Sequence, residues 1–136
     1  MPTQNMTPNY LPPLHNGLAR RAPILESKSA SFTMVASDSG KKFLILGATA
    51  TVTITLPAIS EGPFEMEVFI GSDQTVEVQS VVADTIITYN DLAADKVGFA
   101  TSGEKIGGGF YILCDGTKLF VLPRLASIYQ TTTITT

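Results

Sequence analysis

From about Ser29 onward the chain is a succession of short runs in which apolar and polar residues alternate, broken by turn-forming residues roughly every eight to twelve positions. Successive side chains of a strand point to opposite faces, so a period of two suits a strand with one buried face and does not suit a helix. The clearest run is Thr51–Leu56, where Val52, Ile54 and Leu56 share one side and the threonines the other, until Pro57 ends the ladder. Phe64–Ile70 alternates in the same way, with Phe64, Met66, Val68 and Ile70 on the inner side. Gly71-Ser72-Asp73 then turns the chain, and Thr75–Gln79 is expected to be its hairpin partner.

Further runs fall at Ser31–Val35, Lys42–Leu46 and Asp84–Tyr89. Leu92–Glu104 reads as an irregular crossing in which Leu92–Val97 has room for one helical turn. Phe110–Cys114 and Lys118–Leu122 flank Asp115-Gly116, the strongest hairpin signal in the chain. The tail that follows Pro123 ends in Thr131–Thr136, six residues of high β propensity without a charged side chain, which are expected either to fray or to add an edge strand to this chain or a neighbour. The fold class is therefore all-β, an antiparallel, jelly-roll-like β-sandwich. Three parts are expected: an extended arm over residues 1–28, the sandwich over 29–123, and the tail over 124–136.

The arm is set apart by Pro2, Pro8, Pro12, Pro13 and Pro23, each of which lacks an amide donor and pushes the preceding residue towards extended backbone. It also carries Met6, Tyr10, Leu11, Leu14, Leu18, Ile24 and Leu25, more apolar material than a solvating linker needs. That combination points to a docking strap, with Arg20 and Arg21 as donors for carboxylates or carbonyls on the surface it covers.

Arg20, Arg21 and Lys28 against Glu26 alone give residues 1–28 a net charge of +2 and leave −5 on the rest. Glu65, Glu67 and Glu77 fall on outward strand positions, so the body is a poor match for a phosphate backbone and no nucleic-acid partner is expected. Charged residues are 15% of the chain, which leaves its surface to uncharged polar groups that lose less on burial against a partner. No run approaches the ~20 apolar residues of a membrane helix, and Met1–Asn5 carries neither the basic start nor the apolar stretch of an export signal, so no membrane is expected as a partner.

Residues suited to catalysis are sparse. His15, the sole histidine, sits in the proline-rich arm, away from a scaffold that could hold a general base in place. Cys114, the sole cysteine, falls in a strongly apolar strand, where a thiol is a small buried hydrophobe. The aspartates flank turns without calcium-loop spacing, and Gly103–Gly109 lacks the spacing of a phosphate-binding loop. No catalytic residue, metal site or cofactor is expected.

Between residues 31 and 122 the order of strands and turns resembles the small decoration, or cement, proteins of tailed-bacteriophage capsids and related modules of phage head and tail fibres. The resemblance is carried by Phe32–Lys41 leading into a strand, by Ala50–Pro57, and by Tyr111–Gly116 before the closing strand. It implies a homotrimer on the outer surface of the capsid, with arms reaching across joints between major capsid subunits. The partners it implies are therefore the major capsid protein and further copies of this chain. A second reading is a receptor- or glycan-binding module of a fibre, which would use its loops.

Overall fold

The computed structural model describes residues 24–99, 103–128 and 130–136. Among these described residues twelve strands follow one another: β1 (Ile24–Lys28), β2 (Phe32–Thr33), β3 (Lys41–Ile45), β4 (Val52–Thr55), β5 (Phe64–Ile70), β6 (Val76–Gln79), β7 (Ile86–Thr88), β8 (Asp91–Ala94), β9 (Lys96–Phe99), β10 (Gly109–Cys114), β11 (Leu119–Arg124) and β12 (Thr132–Thr135). They form a larger sheet in the order β1-β3-β5-β10-β11-β7-β8 and a smaller one in the order β12-β9-β6-β4-β2. The protein is thus all-β. Short 3₁₀ turns at Ala36–Asp38 and Ile59–Glu61 are the helical pieces among the described residues.

The expectation of antiparallel sheets is corrected, because both sheets are mixed. The first six strands visit the two sheets alternately, so β1, β3 and β5 run parallel in one and β2, β4 and β6 run parallel in the other. A parallel neighbour needs a crossover, and here the crossover is the strand contributed to the opposite sheet. For the same reason Thr75–Gln79 is not a hairpin partner of Phe64–Ile70. Gly71 to Gln74 carries the chain to the other sheet, where β6 lies parallel to β4 and antiparallel to β9. Turn residues signal that the chain changes direction, and they do not say into which sheet it goes.

The second half closes the sheets with antiparallel pairs. β10 pairs with β5 on one side and β11 on the other, while β11 runs parallel to β7. Leu92–Val97 holds no helical turn: its residues belong to β8 and β9, which lie in different sheets, with Asp95 as the bend between them. The hairpin between β10 and β11 forms where Asp115-Gly116 predicts it. Gly116 has φ +97°, the left-handed backbone that the first central residue of a type II′ turn requires. The Asp115 carboxylate accepts hydrogen bonds from the amides of Thr117 and Lys118, which hold its proton affinity below the ordinary value of 3.8. In the tail, β12 pairs with β9 over all four of its residues, with Ile134 packed against the core.

Both sheets feed one apolar core. The larger contributes Phe43, Ile45, Met66, Val68, Phe110, Ile112, Leu119 and Val121, and the smaller Val52, Ile54, Val76, Val78, Val97 and Phe99, all at most 1% exposed. Phe99 and Phe110 stack across the two sheets with ring centroids 4.9 Å apart. Cys114 is buried in this core, as its apolar strand predicts.

Gly109 begins β10 beside β5, and a Cβ at that position would stand 2.2 Å from the carbonyl oxygen of Val68. Gly109→Ala must therefore push two paired strands apart. It is expected to lower the free energy of unfolding by about 1–3 kcal/mol, measured by urea denaturation.

Candidate functional site

The registers determine which side chains share each outer face. Across the smaller sheet, one outward row reads Thr33, Thr55, Gln79, Lys96, Thr135 and the next Thr53, Glu77, Gly98, Thr133. Every side chain in these rows is polar. Gln79 Nε2 donates to Thr55 Oγ1 at 3.1 Å and Lys96 pairs with Glu77 at 3.4 Å, as expected of a wet surface.

The outer face of the larger sheet is of another kind. Its rows read Ser27, Leu44, Phe69, Gly109, Arg124, then Leu25, Lys42, Glu67, Tyr111, Leu122, then Glu65, Leu113, Phe120, Ile87. Eight of these are large and apolar or aromatic, and Leu25, Leu113 and Leu122 are 55%, 38% and 37% exposed. Outward positions of two packed sheets normally carry polar residues, so this face breaks the usual pattern while its counterpart keeps it. The paired Lys42 and Glu67 interrupt the apolar surface between Leu25 and Tyr111.

The charges on this face are few and mostly tied down. Lys42 Nζ meets Glu67 Oε2 at 3.0 Å, and the Arg124 guanidinium lies 4.8 Å from the centroid of the Phe69 ring. The Tyr111 hydroxyl donates to Glu65 Oε2 at 2.8 Å, and that bond, with burial and the negative charges of Glu65 and Glu67, raises the phenol above its ordinary 10.0.

Of the residues singled out for docking, Ile24 and Leu25 lie on β1, the edge strand of this same sheet, and both are exposed. Leu25 opens the row that ends at Leu122. Met6, Tyr10, Leu11, Leu14, Leu18, Arg20 and Arg21, and with them His15, lie outside the described residues. The arm assigned to residues 1–28 thus ends in a strand of the sheet, not before it. Sequence reading passed over the apolar face itself. Its signal was present at Phe110–Cys114 and Leu119–Leu122, which are apolar at nearly every position, as a strand covered on both sides would be.

The edge strand is guarded by charge. Glu26 occupies an inward position beside Phe43, and its carboxylate meets Lys28 at 2.6 Å and Lys41 at 2.9 Å, while Lys41 also meets Asp38 at 2.8 Å. Lys28 stands 5.0 Å from the Phe32 ring centroid, and Phe32 packs on Phe43. Inward-pointing charges of this kind discourage edge-to-edge pairing of sheets.

Among the described residues no group of three or more histidines, cysteines and acids is placed to hold a metal ion, and no helix is long and apolar enough to cross a membrane. No family model matches the chain. No curated protein matches it either.

The hydrogen bonds from Lys28 and Lys41 hold the Glu26 carboxyl below its ordinary 4.5, and those to Asp38 and Glu26 hold Lys41 above its ordinary 10.5. A lowered carboxyl contributes stability that is complete above its ordinary value and is lost as pH falls through the lowered one. A raised ammonium contributes stability that is complete below 10.5 and is lost as pH rises through the raised value. Glu26→Gln is therefore expected to melt below the wild type by a constant margin between about pH 6 and pH 9, and the margin should close on acidification. Thermal melts of both proteins across the acid range check this.

Proposed function

We propose that this protein is a capsid decoration protein of a tailed phage, a β-sandwich that binds the outer surface of the head and stabilises it by bridging major capsid subunits through its N-terminal arm. The observation that carries the assembly part of this reading is the contrast between the two outer faces, one polar in every row and the other rich in leucine, phenylalanine and tyrosine. The largest apolar patch on a protein surface is often where another molecule binds. Two sheets on a shared core suit a sandwich. The capsid, the homotrimer and the outer surface come from the resemblance over residues 31–122.

The arm fits this role because its prolines restrict the backbone, which limits the entropy that docking costs, and its apolar residues can serve as anchors on a partner's surface. Repetition at many equivalent lattice sites would turn a modest affinity per copy into strong occupancy.

Removing residues 2–23 leaves β1 whole and tests the arm directly. The shortened chain is expected to bind undecorated heads at least about tenfold more weakly, equivalent to a loss of ~1.4 kcal/mol, and to leave them less resistant to heat. Equal occupancy and equal heat resistance would remove the arm from the mechanism.

A further inference from the structure

We infer that the apolar outer face of the larger sheet is the contact between copies of this chain. The inference rests on the assembly reading above and names the occupant of that face.

Size is the first reason. Seven strands of three to seven residues, about 4.8 Å apart and rising roughly 3.3 Å per residue, present a flat area on the order of 500–600 Å², and more when side-chain relief is included, against about 800 Å² per partner in a standard interface. A face of that extent can be covered by a folded domain of similar size, whereas one strand laid along it would leave most of it wet.

Placement of the apolar residues is the second. β10 is the middle strand of the sheet, with three strands on either side. It carries Tyr111 and Leu113, and its neighbour β11 carries Phe120 and Leu122. Apolar residues at the centre with charged ones around them is the usual anatomy of a protein interface.

Charge complementarity is the third. Glu65 on β5 has no cation within salt-bridge distance among the described residues, and Arg124 on β11 has no carboxylate. They stand on opposite sides of β10 and in different rows, separated by two strand spacings, about 9.6 Å, across the sheet alone. Within one chain they cannot pair without leaving the sheet. In a closed ring of copies with these faces turned inward and the strands inclined to the ring axis, so that the two rows come to the same height, Glu65 of one copy faces Arg124 of the next. Lys42 and Glu67 are already paired, so they enter such an interface without an uncompensated charge.

The test is the mass of the full chain by sedimentation at about 10 µM, a concentration well above the dissociation constants of stable assemblies. A closed oligomer is expected, with the trimer that the resemblance implies as the first candidate. L113D/L122D changes two exposed positions and leaves the core alone, so it should sediment as a monomer with the wild-type circular dichroism spectrum. R124E should raise the dissociation constant at least about tenfold, and E65R/R124E should restore it. T53K, on the polar face of the smaller sheet, should keep the wild-type mass.

A wild-type monomer at ~100 µM would overturn the inference. So would an L113D/L122D protein that keeps the oligomeric mass, or an oligomer that dissociates on removing residues 2–23 alone, since the arm would then hold the copies together. Loss of head binding with the oligomer intact would count against the capsid reading and leave this contact standing, so the two failures are separable.

Discussion

The fold depends on a core that belongs to both sheets at once. Six strands in succession cross from one sheet to the other, and each crossing lets the next strand of the same sheet run parallel to the last without a helix to carry the chain back. Phe99 stacked on Phe110 marks the meeting of the two inner faces. If that layer were lost, the parallel triplets β1-β3-β5 and β2-β4-β6 would have nothing to hold their connections in place, because a pair of short strands is marginal in water by itself.

A shared core consumes one face of each sheet and leaves the protein with two outer faces of opposite character. Threonine, glutamine and paired lysine and glutamate make the smaller sheet's surface comfortable in water. The larger sheet carries Leu44, Phe69, Tyr111, Leu113, Phe120 and Leu122 on its far side, with the paired Lys42 and Glu67, the ring-stacked Arg124 and the tyrosine-bonded Glu65 among them. The same sheet starts at β1, where the proline-rich segment ends, so the apolar face and the proposed docking strap are continuous through Leu25. Glu26, Lys28 and Lys41 meanwhile close the β1 edge to casual pairing.

Much of the local structure was legible in residues taken in order. Thr51–Leu56 and Phe64–Ile70 have the buried positions that a period of two predicts, and Asp115-Gly116 turns the hairpin as its chemistry requires. Pairing was not legible. Val76 and Val78 would alternate identically as a hairpin partner of β5 or as a parallel neighbour of β4, and the difference lies in which sheet the turn after Ile70 enters. Asp91 to Ala94 lacks clean alternation, and it became a strand because β7 offers it a ladder.

The sequence by itself determined the class of element, the inward residues and the turns, because these depend on neighbours along the chain, where side-chain period and backbone preference act. It also determined the composition of a proline-rich, positively charged segment ahead of an acidic body. Only the tertiary structure decided that Leu25, Tyr111 and Leu122 share a row and that Glu65 and Arg124 flank one strand without meeting. Those relations join positions far apart in sequence, and they come into being when hydrogen-bonded registers between non-consecutive strands place them on one face.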